Sequence, residues 1–222
     1  MADQAAPLPR AQTASPLPAL AVSAPQMRSD RSEACENRPA VAPSRNAAGD
    51  SALCPAHCIP PTEFRNLMRN IPSAVAILAT DGPAGLAGLT ATAYCSVSDT
   101  PATILACVNR ESLSHAPLLA NGCFSLNVLT ADQKDLAEVF AGRDDRRGAT
   151  RFGVGQWERG PSGAPVLGGT LLSLDCRLVR QLDGGTHGIL IGEVVWGISR
   201  ERSDCLLYAR GAYQTGGIRP LG

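Results

Sequence analysis

Short apolar runs separated by turn residues dominate the chain from residue 61 onward. Thr62 is placed to cap a short helix running through Asn70, with Glu63 in the first turn and Phe64, Leu67 and Met68 spaced to share one face. Ser73 to Thr80 is an apolar strand run, Asp81-Gly82-Pro83-Ala84-Gly85 a turn cluster and Leu86 to Tyr94 a second strand, so the pair reads as a hairpin. Thr103 to Val108 and Cys123 to Leu129 are buried-strand runs, with a short helix over Ser112 to Ala120, cut by Pro117, between them. Thr130-Ala131-Asp132-Gln133 is a capping box, opening a helix whose apolar stripe is Leu136, Val139 and Phe140 and which ends at Gly142.

Arg143 to Gly169 is charged and then rich in Gly and Pro around Trp157, the pattern of a long irregular connection. Leu172, Leu174, Cys176 and Leu178 alternate with Ser173, Asp175 and Arg177, the period-two mark of a half-buried strand. Gly188 to Ile198 forms another strand after the Gly184-Gly185 turn, and Leu206 to Arg210 closes the series. About six or seven strands with few and short helices, in no regular alternation, predict a mainly β fold. The expected architecture is a closed or nearly closed antiparallel barrel.

Composition divides the chain in two. All nine aromatic residues lie at or beyond Phe64, whereas residues 1–60 hold 15 alanines, 9 of the 17 prolines and five arginines against five acidic residues. Such a stretch cannot bury enough apolar area to offset chain entropy, so residues 1–60 read as a disordered Ala/Pro-rich tail. Residues 61–222 suffice for one compact domain.

Twenty basic and 20 acidic side chains give no net charge, which argues against bulk electrostatic capture of nucleic acid or an anionic membrane. The single lysine, Lys134, lies in no GxxxxGK[ST] context, which excludes that phosphate loop. No apolar run is long enough to span a membrane as a helix. Most of the eight cysteines sit in strand-like apolar runs without paired spacing, the habit of small buried hydrophobes in a reducing cytoplasm. Cys54-Pro55-Ala56-His57-Cys58 offers three potential zinc donors but no fourth nearby, and a linker is the stronger reading, so no metal is expected.

Three segments carry candidate chemistry. The Gly153-Val154-Gly155 match to a dinucleotide fingerprint lacks both the third glycine and a preceding strand, so any nucleotide must bind otherwise. In Gly88 to Ser98, the residues Thr90, Thr92, Tyr94 and Ser96 would share a strand face, where hydroxyls and backbone N–H groups suit the edge of a flat heteroaromatic ring. Taken alone, a solvated Thr-rich strand face is the stronger reading of that pattern. Asn109-Arg110-Glu111-Ser112-Leu113-Ser114-His115 follows a buried strand and opens a helix, which suits a phosphate or an ordinary serine cap. Gly185-Thr186-His187-Gly188 holds a histidine at the start of a strand.

Taken in order, SAVAILATDGPAGLAGLTATAYCSVSDTPATILACVNRES, VFAG, Arg151-Phe152, GTHGILIGEVV and LLYARGAYQ resemble the short-chain flavin reductase family. The likeness spans roughly residues 62–216 and is nearest to the pyrimidine-utilisation branch. The resemblance implies a split β-barrel with Greek-key antiparallel strands that binds FMN, or alternatively FAD or riboflavin. It also implies a homodimer that oxidises NADH or NADPH and hands reduced flavin to a separate monooxygenase. By position, Thr90, Ala91, Thr92, Ala93 and Ser96 would contact the isoalloxazine and ribityl chain. Asn109, Arg110, Ser112 and Ser114 would surround the phosphate, and Phe140, Ala141 and Gly142 would border the ring or the nicotinamide site. His187 matches the histidine of a Gly-Asp-His motif associated with NAD(P)H, with Thr186 in place of the acid. It is the one residue expected to act at the reacting centre, by positioning and charge stabilisation. Tyr213 matches a terminal tyrosine of packing or pocket-lining role. Two alternatives are a related barrel with tightly held prosthetic flavin and a non-enzymatic flavin-binding protein.

Overall fold

The computed structural model describes residues 58–200 and 204–217. The expected tail, apart from residues 58–60, and most of the Cys54–Cys58 cluster lie outside them. Among the described residues no group of three or more His, Cys, Asp or Glu side chains could hold a metal, and no helix is long and apolar enough to cross a membrane.

Helix α1 (Pro61–Met68) begins one residue before the predicted cap. Pro61 occupies the first turn, where a missing N–H costs nothing, and Thr62 does not cap. The strands are β1 (Ser73–Ala74), β2 (Ala76–Thr80), β3 (Ala87–Ala91), β4 (Tyr94–Asp99), β5 (Ala102–Asn109), β6 (Cys123–Val128), β7 (Trp157–Arg159), β8 (Pro165–Leu167), β9 (Leu172–Gly184), β10 (His187–Ser199), β11 (Cys205–Ala209) and β12 (Ala212–Gly216). Helix α2 (His115–Asn121) precedes β6, and α3 (Lys134–Phe140) follows it after a 3-10 turn over Ala131–Gln133. The predicted capping box is visible in Gln133, whose side-chain oxygen accepts the Thr130 N–H at 3.2 Å.

Seven antiparallel strands form one sheet in the order β3-β2-β6-β9-β10-β5-β4. Strands β3 and β4 lie at opposite edges yet only Thr92 and Ala93 separate them in sequence. Three residue steps span about 10 Å at full extension, so the two edges must meet and the sheet must curl shut. The Ala93 carbonyl, accepting the Cys107 N–H at 2.8 Å, already continues the β4–β5 ladder, so the chain has reached that edge within two residues of the end of β3. The expected barrel is therefore present. The continuous strand expected over Leu86 to Tyr94 is not, because the chain changes edges at Thr92-Ala93.

A smaller sheet, β1-β11-β12, continues from the barrel wall through backbone bonds of Val75 and Leu129 to Leu206. Strand β12 carried no predicted signal. Alternation distributes each wall strand between two cores. Ala76 and Leu78, with Phe124, Leu126, Cys176 and Leu190, fill the barrel. Val75 and Ile77 pack outward against Leu129, Val139, Phe140 and Leu206. Burial pushes the Cys176 thiol up to about 12, so inside the barrel it behaves as a hydrophobe.

The connection expected to be irregular contains a 3-10 turn over Gly148–Gly153 and the β7–β8 hairpin. That hairpin covers the outer face of β6 and β9, so Ser173 and Asp175, predicted to face solvent, are fully buried. Their polarity serves the seal. Asn127 donates to the Ile77 carbonyl at 3.1 Å and to Ser125 Oγ at 2.7 Å, and accepts from the Leu167 N–H at 2.9 Å and Ser173 Oγ at 3.0 Å. Ser125 Oγ donates to the Pro165 carbonyl, and Asp175 accepts both the backbone N–H and the hydroxyl of Ser162. Every donor Asn127 carries is used, so this buried network fixes the hairpin instead of destabilising it.

Candidate functional site

The break between β3 and β4 opens a cleft of about 220 Å³ lined by Thr90, Ala91, Thr92, Ala141, Arg143, Tyr208 and Tyr213. Three tethers shape it. Thr90 Oγ1 donates to the Ala137 carbonyl at 2.6 Å, holding β3 against α3. Arg151 donates to the Phe140 and Gly88 carbonyls, both at 3.3 Å, which caps α3 and ties it to β3 a second time. Ser114 Oγ donates to the same Gly88 carbonyl at 2.9 Å, bringing the start of α2 to this strand. Gly88 is required by close approach, since a Cβ there would lie 2.8 Å from Phe140 Cε1. Arg143 sits over the Tyr213 ring at 5.4 Å, and Tyr213 meets Tyr208 edge-on at 5.2 Å.

A second cleft of about 260 Å³ adjoins the first across Thr92 and Tyr208, bounded by Phe64, Met68 and the two arginines Arg65 and Arg69 of the α1 segment. Each cleft alone is smaller than a typical cofactor site of roughly 300–1,000 Å³. The two are continuous through their shared walls at Thr92 and Tyr208.

The second group of predicted residues gathers where β5 ends and β10 begins. His187 is paired with Asn109 in the sheet, and the Arg110 N–H donates to the Thr186 carbonyl at 3.1 Å. Thr186 Oγ1 lies 2.9 Å from His187 Nδ1, so the residue replacing the motif's acid still orients the imidazole through a hydrogen bond. Arg110 Nη2 is 2.6 Å from Asp183 Oδ1. His115 lies beneath, against Gly188, with its pKa lowered first by burial and then by the Arg110 charge.

Thr90, Ala91, Thr92 and Ala141 thus line one cleft, while Asn109, Arg110 and His187 form one cluster. Ala93 lies at the junction, bonded to Cys107 only two residues before Asn109. Ser96 is exposed on β4 opposite Ile104, outside the cleft lining. The strand face predicted to unite Thr90, Thr92, Tyr94 and Ser96 does not form, because Tyr94 turns into the barrel core. Ser112 is half-buried and accepts the Ser114 N–H at 3.3 Å. Helix α2 starts at His115 rather than Ser112, and Pro117 falls within its first turn instead of cutting it. Phe140 is 1% exposed, so it backs the cleft from behind, and Gly142 packs beside Arg151.

Arg143 and Asp183 gave no signal, and Tyr208 lay within the LLYARGAYQ stretch without being singled out. Arg143 belongs to a run of charges, and Asp183 acquires its partner only through the β9–β10 turn.

A curled seven-stranded antiparallel barrel with a cleft at the crossover between its edge strands defines a split-barrel protein. The chain belongs to the flavin reductase like domain family, which it matches over residues 68–217. It is 43% identical over 146 residues to the Stutzerimonas stutzeri protein named FMN reductase (NADH) RutF, across 66% of this chain and 83% of that one. It is also similar to the structure of BorF, the flavin reductase component of a bacterial two-component tryptophan halogenase, at a TM-score of 0.66 and 32% identity over 71% of this chain and 99% of that one. The Streptomyces globisporus NADH:FAD oxidoreductase SgcE6, solved with NAD and FAD fragments, superposes at a TM-score of 0.63 and 30% identity, covering 69% of this chain and 90% of that one.

Proposed function

We propose that this chain is an NAD(P)H-dependent FMN reductase whose barrel domain, residues 61–222, supplies reduced flavin to a separate monooxygenase. The observation that carries this reading is the pairing of a small-residue cleft at Thr90–Thr92 with the polar cluster of Asn109, Arg110 and His187, the two segments being linked through the Ala93–Cys107 backbone bond. Similarity to the FMN reductase from S. stutzeri supports the activity and the choice of NADH, and similarity to BorF supports delivery to a second enzyme.

The residues fit a flavin. Ala91, Thr92 and Ala141 give the cleft a wall of small side chains, which leaves room for a planar ring. Arg110 retains exposed donors suited to a phosphate. When bound, flavin supplies the electron-accepting ring to which a nicotinamide hydride passes. The chain's own residues bind and orient. Ala91, Thr92 and Ala93 offer backbone and hydroxyl partners for the ring edge, while Asn109, Arg110 and Ser112 hold the phosphate region and Ser114, its hydroxyl committed to the Gly88 carbonyl, fixes the start of α2 beside them. His187, steadied by Thr186, positions the nicotinamide. Holding two rings in register accounts for most of the rate gain, so the site has no need of an acid–base dyad.

The enzyme works as a homodimer in the cytoplasm. Exposed apolar side chains on α1, namely Phe64, Leu67 and Met68, and on the outer end of β10, Val195, Trp196 and Ile198, support a second copy covering one of these surfaces. Cys95, Cys107, Cys123, Cys176 and Cys205 are all thiols, which supports a reducing compartment.

The test is absorbance at 340 nm with purified protein, NADH and catalytic FMN in air. NADH loss that requires both FMN and protein is expected, and flavin binding without NADH loss would overturn the assignment. His187→Ala is expected to raise the NADH KM about threefold to fivefold, the loss of one modest polar contact, while leaving FMN binding nearly unchanged. A larger loss of FMN affinity than of NADH use would remove His187 from the nicotinamide side.

A further inference from the structure

Strands β9 and β10 are joined by a two-residue loop, Gly185-Thr186, with Gly185 at φ +75° in the conformation that glycine tolerates best. Asp183 stands just before this loop, and its Oδ1 accepts the Gly185 N–H at 2.8 Å while lying 2.6 Å from Arg110 Nη2. These two donors, Gly185 first, hold the Asp183 carboxyl below the usual carboxylate range, so it is ionised wherever the protein is folded near neutrality. Both side chains remain open to solvent, at 41% for Arg110 and 65% for Asp183, so an arriving anion reaches the pair without displacing any core residue.

An anion that approaches Arg110 therefore meets a guanidinium already shared with a carboxylate. It either takes the remaining N–H donors beside a like charge or displaces Asp183 and gives up that pair, and each route lowers the net attraction. We infer that Asp183 is a counter-charge that competes with the flavin phosphate for Arg110 and so sets how readily the flavin leaves the protein. This rests on the assignment of Arg110 to the phosphate. The arrangement suits a protein whose flavin is a substrate to be released, because a bare arginine at the same place would retain the phosphate more tightly.

The experiment is titration of FMN and of riboflavin, which lacks the phosphate, by flavin fluorescence, with dissociation rates from stopped flow. Asp183→Asn and Asp183→Ser both remove the charge yet keep an oxygen for the Gly185 N–H, so the turn is retained. Each is expected to bind FMN roughly threefold to tenfold more tightly, through slower dissociation, as suits one exposed charge interaction. Riboflavin binding stays unchanged, the gain shrinks at high salt, and it vanishes in the Arg110→Ala background. Unchanged or weaker FMN binding in both variants, with Arg110→Ala still selectively losing FMN, would overturn the inference while leaving the phosphate assignment standing. An FMN-to-riboflavin ratio unaffected by Arg110→Ala would overturn both.

Discussion

Phe140→Ala is expected to destabilise the domain by about 3–5 kcal/mol, the usual cost of emptying a buried aromatic position. Phe140 ends α3, is 1% exposed, and stands between the barrel wall and the outer segments. Its ring meets Phe152 edge-on at 5.0 Å and Trp157 at 5.4 Å, and its edge fills the space left by Gly88. Removing it cuts the β7–β8 hairpin from α3 and loosens the segment that carries Ala141 into the cleft. Urea unfolding followed by far-UV circular dichroism measures the first effect, and the FMN KM of the folded fraction measures the second. Phe140→Leu, which retains most of the volume, is expected to lose less than half as much stability. A midpoint unchanged in Phe140→Ala would show that the outer core does not hold the domain together.

The barrel was legible because its strands are short apolar runs with turn residues between them, and each such run holds strand residues in the structure, with Ser73 to Thr80 divided between β1 and β2 and Leu86 to Tyr94 between β3 and β4. What periodicity could not show is a strand buried on both sides by different means. In β6 and β9 the inward face is apolar, but the outward face is polar and sealed by a hairpin that forms about 30 residues away from β6 in sequence. Ser125, Asn127, Ser173 and Asp175 look like solvated positions until the Leu167 N–H and the Pro165 carbonyl arrive to pair with them. The break at Thr92-Ala93 was hidden for a related reason. A run of Thr and Ala is compatible with an unbroken strand, and only the closure of the sheet forces the bend.

The site shows the same division. The β3–β4 segment, the end of β5 and the start of β10 were marked by residue chemistry, and the resemblance joined them into one flavin-binding reading. Register then did what sequence could not, by placing His187 opposite Asn109 and Asp183 beside Arg110. Arg151 was noticed only as part of a matching pair, whereas its guanidinium links the end of α3 to β3. Burial, and secondarily Arg147, lower its pKa, the expense of placing a cation where two carbonyls need a donor.

Arg110→Ala is expected to weaken FMN binding roughly tenfold while leaving riboflavin binding within about twofold. A charged hydrogen bond to phosphate is worth about 1.5–3 kcal/mol in a shielded site, and the 41% exposure of this side chain places the loss at the low end. The backbone contribution survives the substitution, because the residue 110 N–H still donates to Thr186 and keeps β5 against the turn. His187 therefore stays in register, and the NADH KM at saturating FMN is expected to change little. Arg110→Lys retains charge but loses the planar fork, so it should recover only part of the discrimination. Fluorescence titration of both flavins with the three proteins gives the comparison directly. Equal losses for FMN and riboflavin would mean that Arg110 supports the loop without reading the phosphate, and the anion contact would then have to come from the arginines of the α1 cleft, Arg65 and Arg69.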